Sequence, residues 1–513
     1  MNDKIMTQTC DKVMSGDFST ELSMPDYEPE VRRLLRVGVT LAPVSGFCDG
    51  GRVGMRGEII YDILYSGNDG GLYSARASEN YELAEALKQS EKCAEELVII
   101  CEATPESLIS RALAPRKISL KCKLRGRARG FAERELAERS TYIENPESVE
   151  RLMGERECAL IHPTRIGEVT LAEDFEAELP AGASGELRVI SYNGSAVVSE
   201  VEAARDEALV KGVLYLDLLV ALDDAEAAPF KLSRKIPFSE AIDAEGLTPS
   251  CRAMARAVCV GADISVDENR IFCEPTLSIA VDAEEEGAIE YTRDLYSTEV
   301  ASEITTARYE FPVFEKSVLG SVSVSAREAL ERVGLESGDE VIDVYASASA
   351  KSVDSAGERW ALLGELAFNF LVKTGGEYGV RELKLPFKYE FDGCESGAYF
   401  SDFGVVACSP RAKLDAEKIS CDCEVSLCGR ICSRGELTAV DEAIFGEPIR
   451  NDGLLRVCFP PAADTLWDVA KRYHKTVDSI VSQNADSLAS SSPTTPVRKP
   501  ILISSEVTNL DFI

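Results

Sequence analysis

Three far-separated stretches of strict alternation limit this chain to a repetitive β architecture. Each opens on a glycine: "RGEIIYDILYSG" from Arg56, "KGVLYLDLLVAL" from Lys211 and "LGELAFNFLVKT" from Leu363. Apolar residues recur at every second position and are rich in aromatic and branched types, so each reads as a strand with one buried face. Some 22 to 25 residues after the glycine, two stretches carry an apolar-Pro-Phe step, "KIPFSEAID" at Pro237 and "KLPFKYEFD" at Pro386. The first stretch has "SENYELAEAL" there, without the proline. A second strand signal follows in each, at Ile118, Ile271 and Ile419. Three ordered signals, met three times, predict three copies of one β-rich unit.

The copies are placed at 20–150, 151–310 and 311–446, after an N-terminal tail of residues 1–19. Each is expected to be sandwich-like or barrel-like with short linking helices. One helix is predicted in "NYELAEALKQSEKCAEEL" after Asn80, where Leu83, Leu87 and Cys93 recur near helical spacing. "SGFCDGGRVG", residues 45–54, leads into a strand and is read as a hairpin loop, not as a phosphate cradle. The predicted fold class is mainly β: three repeated β-rich modules, then a small βααβ domain at 452–505.

That last domain is legible from its spacing. "LLRVCF" gives an edge strand with Leu455 and Val457 alternating, and "PPAA" ends it. Asp464 stands at a helix N-cap, and Leu466, Val469, Ala470 and Tyr473 fall on one helical face. Thr476 caps a second helix carrying Val477, Ile480 and Val481, which Asn484 ends in a left-handed conformation. "KPILIS", residues 499–504, supplies the closing strand.

Charge and composition exclude several functions. With 88 acidic against 55 basic residues the net charge is -33, which repels phosphate backbones and anionic bilayers. Nucleic acid is therefore not an expected partner. No apolar run is long enough for a membrane-spanning helix, so direct membrane insertion is not expected either. The polar start "MNDKIMTQTCDKVMSGDFST" lacks an export signal, and 16 cysteines in such a chain read as reduced buried thiols in the cytosol. The run "CDCEVSLCGRIC", with Cys421, Cys423, Cys428 and Cys432, alternates as a strand does and lacks paired zinc-ligand spacing. His162 and His474 are the only histidines. No nucleophile elbow or phosphate-binding loop is present, so no catalytic residue, metal centre or cofactor is expected.

Two resemblances follow from these residues. "LSMPDYEPEVRRLLRVGV", residues 22–39, with Leu64 and Tyr65 later, resembles the opening of the sporulation-associated (SPOCS) domain of spore-forming bacteria. Asp464, Thr465, Leu466 and Trp467, then Ala470, Tyr473, Ile480 and Asn484, resemble a LysM module. Repeated domains followed by LysM are similar to the architecture of spore coat morphogenetic proteins. The resemblance implies a non-enzymatic scaffold at the forespore surface in the mother-cell cytoplasm. Its LysM module would bind the coat-basement ATPase, the stage IV sporulation protein A, and its other domains would recruit other coat proteins.

The alternative is a cell-wall protein that binds or cleaves peptidoglycan-type or chitin-type glycan. Two departures weigh against it: Ala463, after Pro460 and Pro461, replaces a customary glycine, and "SSSPTTPVRKPILI" lacks another. Backbone close to a glycan needs such glycines. The candidate partner-binding residues are Asp464, Thr465, Leu466, Trp467, Lys471, Arg472 and Asn484. Trp467 either anchors a partner or completes the module's core. Lys471 and Arg472 form either a solvated face or a shallow interface. From 452 to 503 five acidic and six basic residues leave the module nearly neutral on an acidic chain, which lets a partner approach.

Overall fold

The computed structural model describes residues 4–88, 97–136, 138–179, 185–223, 228–355, 357–394, 397–415, 417–449, 455–488 and 492–504. Strands make up 75% and helices 6%, so the protein is mainly β. Each glycine-led stretch is the central strand of an antiparallel front sheet. In the first copy Arg52–Gly67 lies between Val31–Leu41 with Ser45–Asp49 and Leu72–Ala86. In the second Glu207–Leu222 lies between Leu187–Ala204 and Phe230–Asp243. In the third Arg359–Thr374 lies between Glu340–Asp354 and Glu377–Asp392.

The second signal of each copy is the centre of a back sheet. Lys117–Glu135 pairs with Lys4–Ser23 and Val98–Ala114, and Lys418–Pro448 with Val300–Ala329 and Tyr399–Leu414. Arg270–Ser297 pairs with Cys251–Asp267 on one side. On its other side the edge strand is broken into Val149–Ile161, Arg165–Thr170 and Glu173–Glu176. Pro163 lies in the first break, where it cannot donate to the ladder.

Front and back sheets face each other, so each copy is a sandwich. Ile59, Tyr61 and Ile63 share a core with Ile118, Leu120 and Cys122. Leu214, Leu216 and Leu218 meet Ile271, Cys273 and Leu277, and Leu366, Phe368 and Phe370 meet Ile419, Cys421 and Cys423. The cysteine-rich run is thus a strand whose Cys421 and Cys423 fill the core as small hydrophobes.

The glycine and the Pro-Phe step prove to be partners. Gly212 lies directly across from Phe238, and Gly364 from Phe387, on strands with no second ladder partner among the described residues, which is why a proline can precede each ring. A Cβ at Gly364 would come within 2.1 Å of the Phe387 ring. The first copy has the same pair, Gly57 opposite Tyr81. The ring of the step is therefore present as tyrosine, with Asn80 where the other copies have proline. The Tyr81 hydroxyl is buried without a hydrogen-bond partner among the described residues. Tyr81→Phe should accordingly raise stability by about 1 kcal/mol, read as a higher midpoint in urea, because it removes an unpaid desolvation cost.

Two expectations are corrected. Of the expected tail at 1–19, the described residues from Lys4 onward are strand, since Lys4–Ser23 pairs along its length with Lys117–Glu135. Over residues 80–86 the predicted helix is instead the end of strand Leu72–Ala86, where Tyr81 and Leu83 point inward at a spacing of two, and residues 89–96 of it lie outside the described residues. Cys93 lies outside the described residues.

The three copies close on one another. Leu72–Ala86 touches Leu187–Ala204, Phe230–Asp243 touches Glu340–Asp354, and Glu377–Asp392 touches Val31–Leu41. Lys231 bridges Asp217 at 2.8 Å and Asp343 at 3.6 Å across the second of these contacts, and Arg32 pairs with Glu377 at 2.5 Å across the third. Corresponding residues of all copies meet in shared clusters. Leu64, Leu219 and Leu371, each seven residues after its glycine, pack together with Leu35, Ile190 and Ile342. At the far end of the back sheets Ile5, Cys158 and Phe311 pack with Leu136, Ile289 and Leu437.

A third set of corresponding positions is charged. Arg129, Asp282 and Arg430, each eleven residues after its strand-opening isoleucine, are all buried. Asp282 is 1% exposed and accepts hydrogen bonds from Arg256 at 2.9 Å and from the Thr164 hydroxyl at 2.6 Å. Arg430 of the third copy stands 3.7 Å from Asp282 and 3.8 Å from Glu284, and Arg129 of the first pairs with Glu102. The copies therefore form a ring with threefold pseudo-symmetry in its apolar contacts, joined between the second and third copies by the Arg430 ion pairs.

Candidate partner surface and a three-residue cluster

The C-terminal module folds as strand Arg456–Cys458, helix α1 (Leu466–Tyr473), helix α2 (Val477–Gln483), a short helix Ala485–Leu488 and strand Ile501–Ile503. The two strands pair antiparallel, giving the predicted order with one additional turn of helix. Cys458, Ile501 and Ile503 point toward Leu466, Val469, Ala470 and Ile480 to form its core.

Caps fix the helix ends, though not all as expected. The N-cap of α1 is Thr465 and not Asp464. Its hydroxyl accepts the Asp468 backbone N–H while Asp468 accepts the Thr465 N–H, a reciprocal box. These bonds hold the Asp468 carboxyl below the ordinary carboxylate range. Asp464 instead pairs with Arg472. Thr476 caps α2 as predicted. Asn484 is not left-handed (φ -125°); that conformation belongs to His474. The Asn484 amide clips α2 to the closing strand, donating to the Leu502 carbonyl and accepting the Leu502 N–H, each at 2.8 Å.

Trp467 and Lys471 are committed within the chain. Trp467 is 3% exposed, its ring edge-on to Tyr296 at 4.9 Å, and its Nε1 donates to Asp294 at 2.8 Å. Lys471 pairs with the same carboxylate at 2.5 Å. The Tyr296 hydroxyl donates to the Lys475 carbonyl, and Leu152 packs alongside. Helix α1 thus seats the module on the end of strands Val149–Ile161 and Arg270–Ser297 of the second sandwich. Of the seven candidate residues, Leu466 is core, Asp464, Thr465 and Arg472 serve the cap and its neighbouring ion pair, and Asn484 is a clip.

The loops before α1 and before the closing strand are bonded to each other. Leu466 N–H donates to the Thr495 carbonyl, Trp467 N–H to the Pro493 carbonyl and Val497 N–H to the Asp464 carbonyl. The module's open surface is the other side of its two-stranded sheet. Leu455, Val457 and Phe459 project there, Leu455 at 68% and Phe459 at 75% exposure, with exposed Leu502 directly across from Val457.

A second constellation was not foreseen, because its members are far apart in the chain. His162, Cys251 and Glu285 bring a ring nitrogen, a sulfur and a carboxylate oxygen within 4.8 Å of one another. Cys251 and Glu285 are direct cross-strand neighbours, and His162 sits at the strand break beside Pro163, its backbone N–H bonded to the Ala283 carbonyl. The His162 Nε2 lies 3.7 Å from the Cys251 sulfur. Burial holds the imidazole below its ordinary range, opposed by Glu285 and assisted by Arg165, so it is neutral at neutral pH.

No described helix is long and apolar enough to cross a membrane. No protein-family description, curated protein or solved structure matches this chain.

Proposed function

We propose that this chain is a non-catalytic scaffold of the bacterial spore coat, which binds the stage IV sporulation protein A ATPase through its C-terminal module and tethers coat to the forespore surface. The observation that carries this reading is the exposed apolar stripe of Leu455, Val457, Phe459 and Leu502. Exposed apolar residues clustered on one small face mark an interaction site more often than chance surface. The sequence-level resemblance supplies the partner's identity. The interface is assigned to this strand face and not to α1, whose Trp467 and Lys471 already hold Asp294.

A ring of three sandwiches suits a scaffold, since it presents three related outer surfaces at fixed spacing for other coat proteins. The bonded loops on the module favour a protein partner over glycan, whose N-acetyl groups need free backbone donors. The test is titration of the full chain, by calorimetry, with the purified ATPase and in parallel with peptidoglycan fragments. Saturable binding of the ATPase alone is expected. Binding of glycan alone would replace this reading with the cell-wall one.

A further inference from the structure

We propose that His162, Cys251 and Glu285 hold a divalent transition-metal ion of the zinc class, with the fourth coordination position left for an outside ligand. The three side chains are a borderline-soft donor set of imidazole nitrogen, thiolate sulfur and carboxylate oxygen, which zinc accepts in any of these combinations. Their spacing also fits. A tetrahedral ion at about 2.3 Å from sulfur and about 2.0 Å from nitrogen sets those two atoms about 3.5 Å apart. The observed separation is 3.7 Å. The carboxylate needs only a small rotation to close the set, since all three ligand atoms already lie within 4.8 Å.

Surrounding groups hold these atoms as ligands are usually held. The Thr248 and Ser250 hydroxyls donate to Glu285 Oε1 at 3.1 Å and 2.8 Å. The Thr248 backbone N–H points at the Cys251 sulfur at 3.4 Å and fixes its position. Metal binding would expel the thiol proton to solvent and leave the neutral imidazole as it is. Half-exposure of His162 and Glu285 gives an ion a way in.

Comparison among the copies argues that the trio is more than a packing solution. At the positions of His162 and Glu285 the first copy has Thr9 and Ala132, and the third has Glu315 and Ser433. In the third copy those two simply hydrogen-bond, Ser433 to Glu315 at 2.5 Å. The sandwich is therefore built without such a cluster twice over, and only the second copy carries the donors. There the edge strand is also broken at Pro163, so an ion would tie the broken edge to the two strands beside it.

The experiment uses the full chain, stripped with chelator under reducing conditions and titrated with cobalt(II), then with zinc(II) as competitor. A thiolate-to-cobalt charge-transfer band should saturate near about one equivalent and vanish on zinc addition. Cys251→Ser should abolish it, while Cys48→Ser, at an exposed thiol elsewhere, should leave it unchanged. Glu285→Gln and Thr248→Val should each weaken affinity by about 10-fold to 100-fold with the circular dichroism spectrum unchanged. Absence of the band, or its persistence in Cys251→Ser, would overturn the proposal. Because Glu285 is half-exposed, its variant keeps the test valid even if Cys251→Ser folds poorly.

Discussion

Asp282→Asn is expected to destabilise the sandwich ring by about 3–5 kcal/mol, seen as a large fall in the urea midpoint. The substitution keeps the shape of the side chain and removes only its charge. Arg256 and Arg430 then remain in a site where Asp282 was 1% exposed, having lost the carboxylate that both of them face. Removing one partner of a buried ion pair strands the other in a low dielectric, which is far costlier than never having buried the pair. The converse follows from the same physics. A triple variant, Arg256→Met with Asp282→Leu and Arg430→Met, should recover most of the loss, because well-packed apolar groups of similar volume need no compensation. An unchanged midpoint in Asp282→Asn would mean that the charges reach water and that the copies do not close tightly there.

Trp467→Ala should cost about 3–5 kcal/mol, the usual range for deleting a buried aromatic. The loss falls on the C-terminal module and its seat together. The indole fills the module's core beside Leu466 and also packs edge-on against Tyr296 and bonds Asp294 of the second sandwich. Amide hydrogen exchange should report faster exchange across α1 and α2 while the central strands of the sandwiches keep their protection. Asp294→Asn separates the two roles. It weakens the seat by removing the charge that Lys471 pairs with, yet leaves the module's core intact. A Trp467→Ala variant that lost a partner would therefore say little about the interface, whereas Asp294→Asn would report on docking alone. Slow exchange in α1 of Trp467→Ala would contradict the seat described here.

Much of the fold was legible because its signals were local. Alternation after Gly57, Gly212 and Gly364 named the central strands, and the two-residue turn Gly50-Gly51, both at positive φ, named the hairpin at 45–54. Thr476 and the strand character of Cys421 and Cys423 were local as well. The misreadings came where two periods compete. In "NYELAEAL" the alanines and glutamates favour a helix intrinsically, but Tyr81 must lie over Gly57, and that tertiary contact decides the strand. Lys4–Ser23 looked like a tail because its outward half is polar and its inward residues, such as Cys10 and Met14, are widely spaced.

The functional residues were harder to see for a different reason. Trp467 carries the same sequence signature whether it meets a partner or Asp294, since the choice is made by a strand 173 residues away. The His162, Cys251 and Glu285 cluster is likewise joined only by the sheet. Arg129, Asp282 and Arg430 were not singled out either, although they share one position of the repeat. Charges of opposite sign at one position of a strand that is otherwise core in all three copies are a signal of copies meeting, once the copies are aligned.

The decisive measurement is calorimetric binding of the full chain carrying Val457→Asp to the stage IV sporulation protein A ATPase, beside the unaltered chain and the Asp294→Asn variant. A charge at Val457 lies on the open side of the small sheet, opposite Leu502, and leaves the core residues Cys458 and Ile501 untouched. Loss of binding in Val457→Asp, with binding retained in Asp294→Asn, is the expected result. Full affinity in Val457→Asp would contradict the assignment of the strand face as the docking surface.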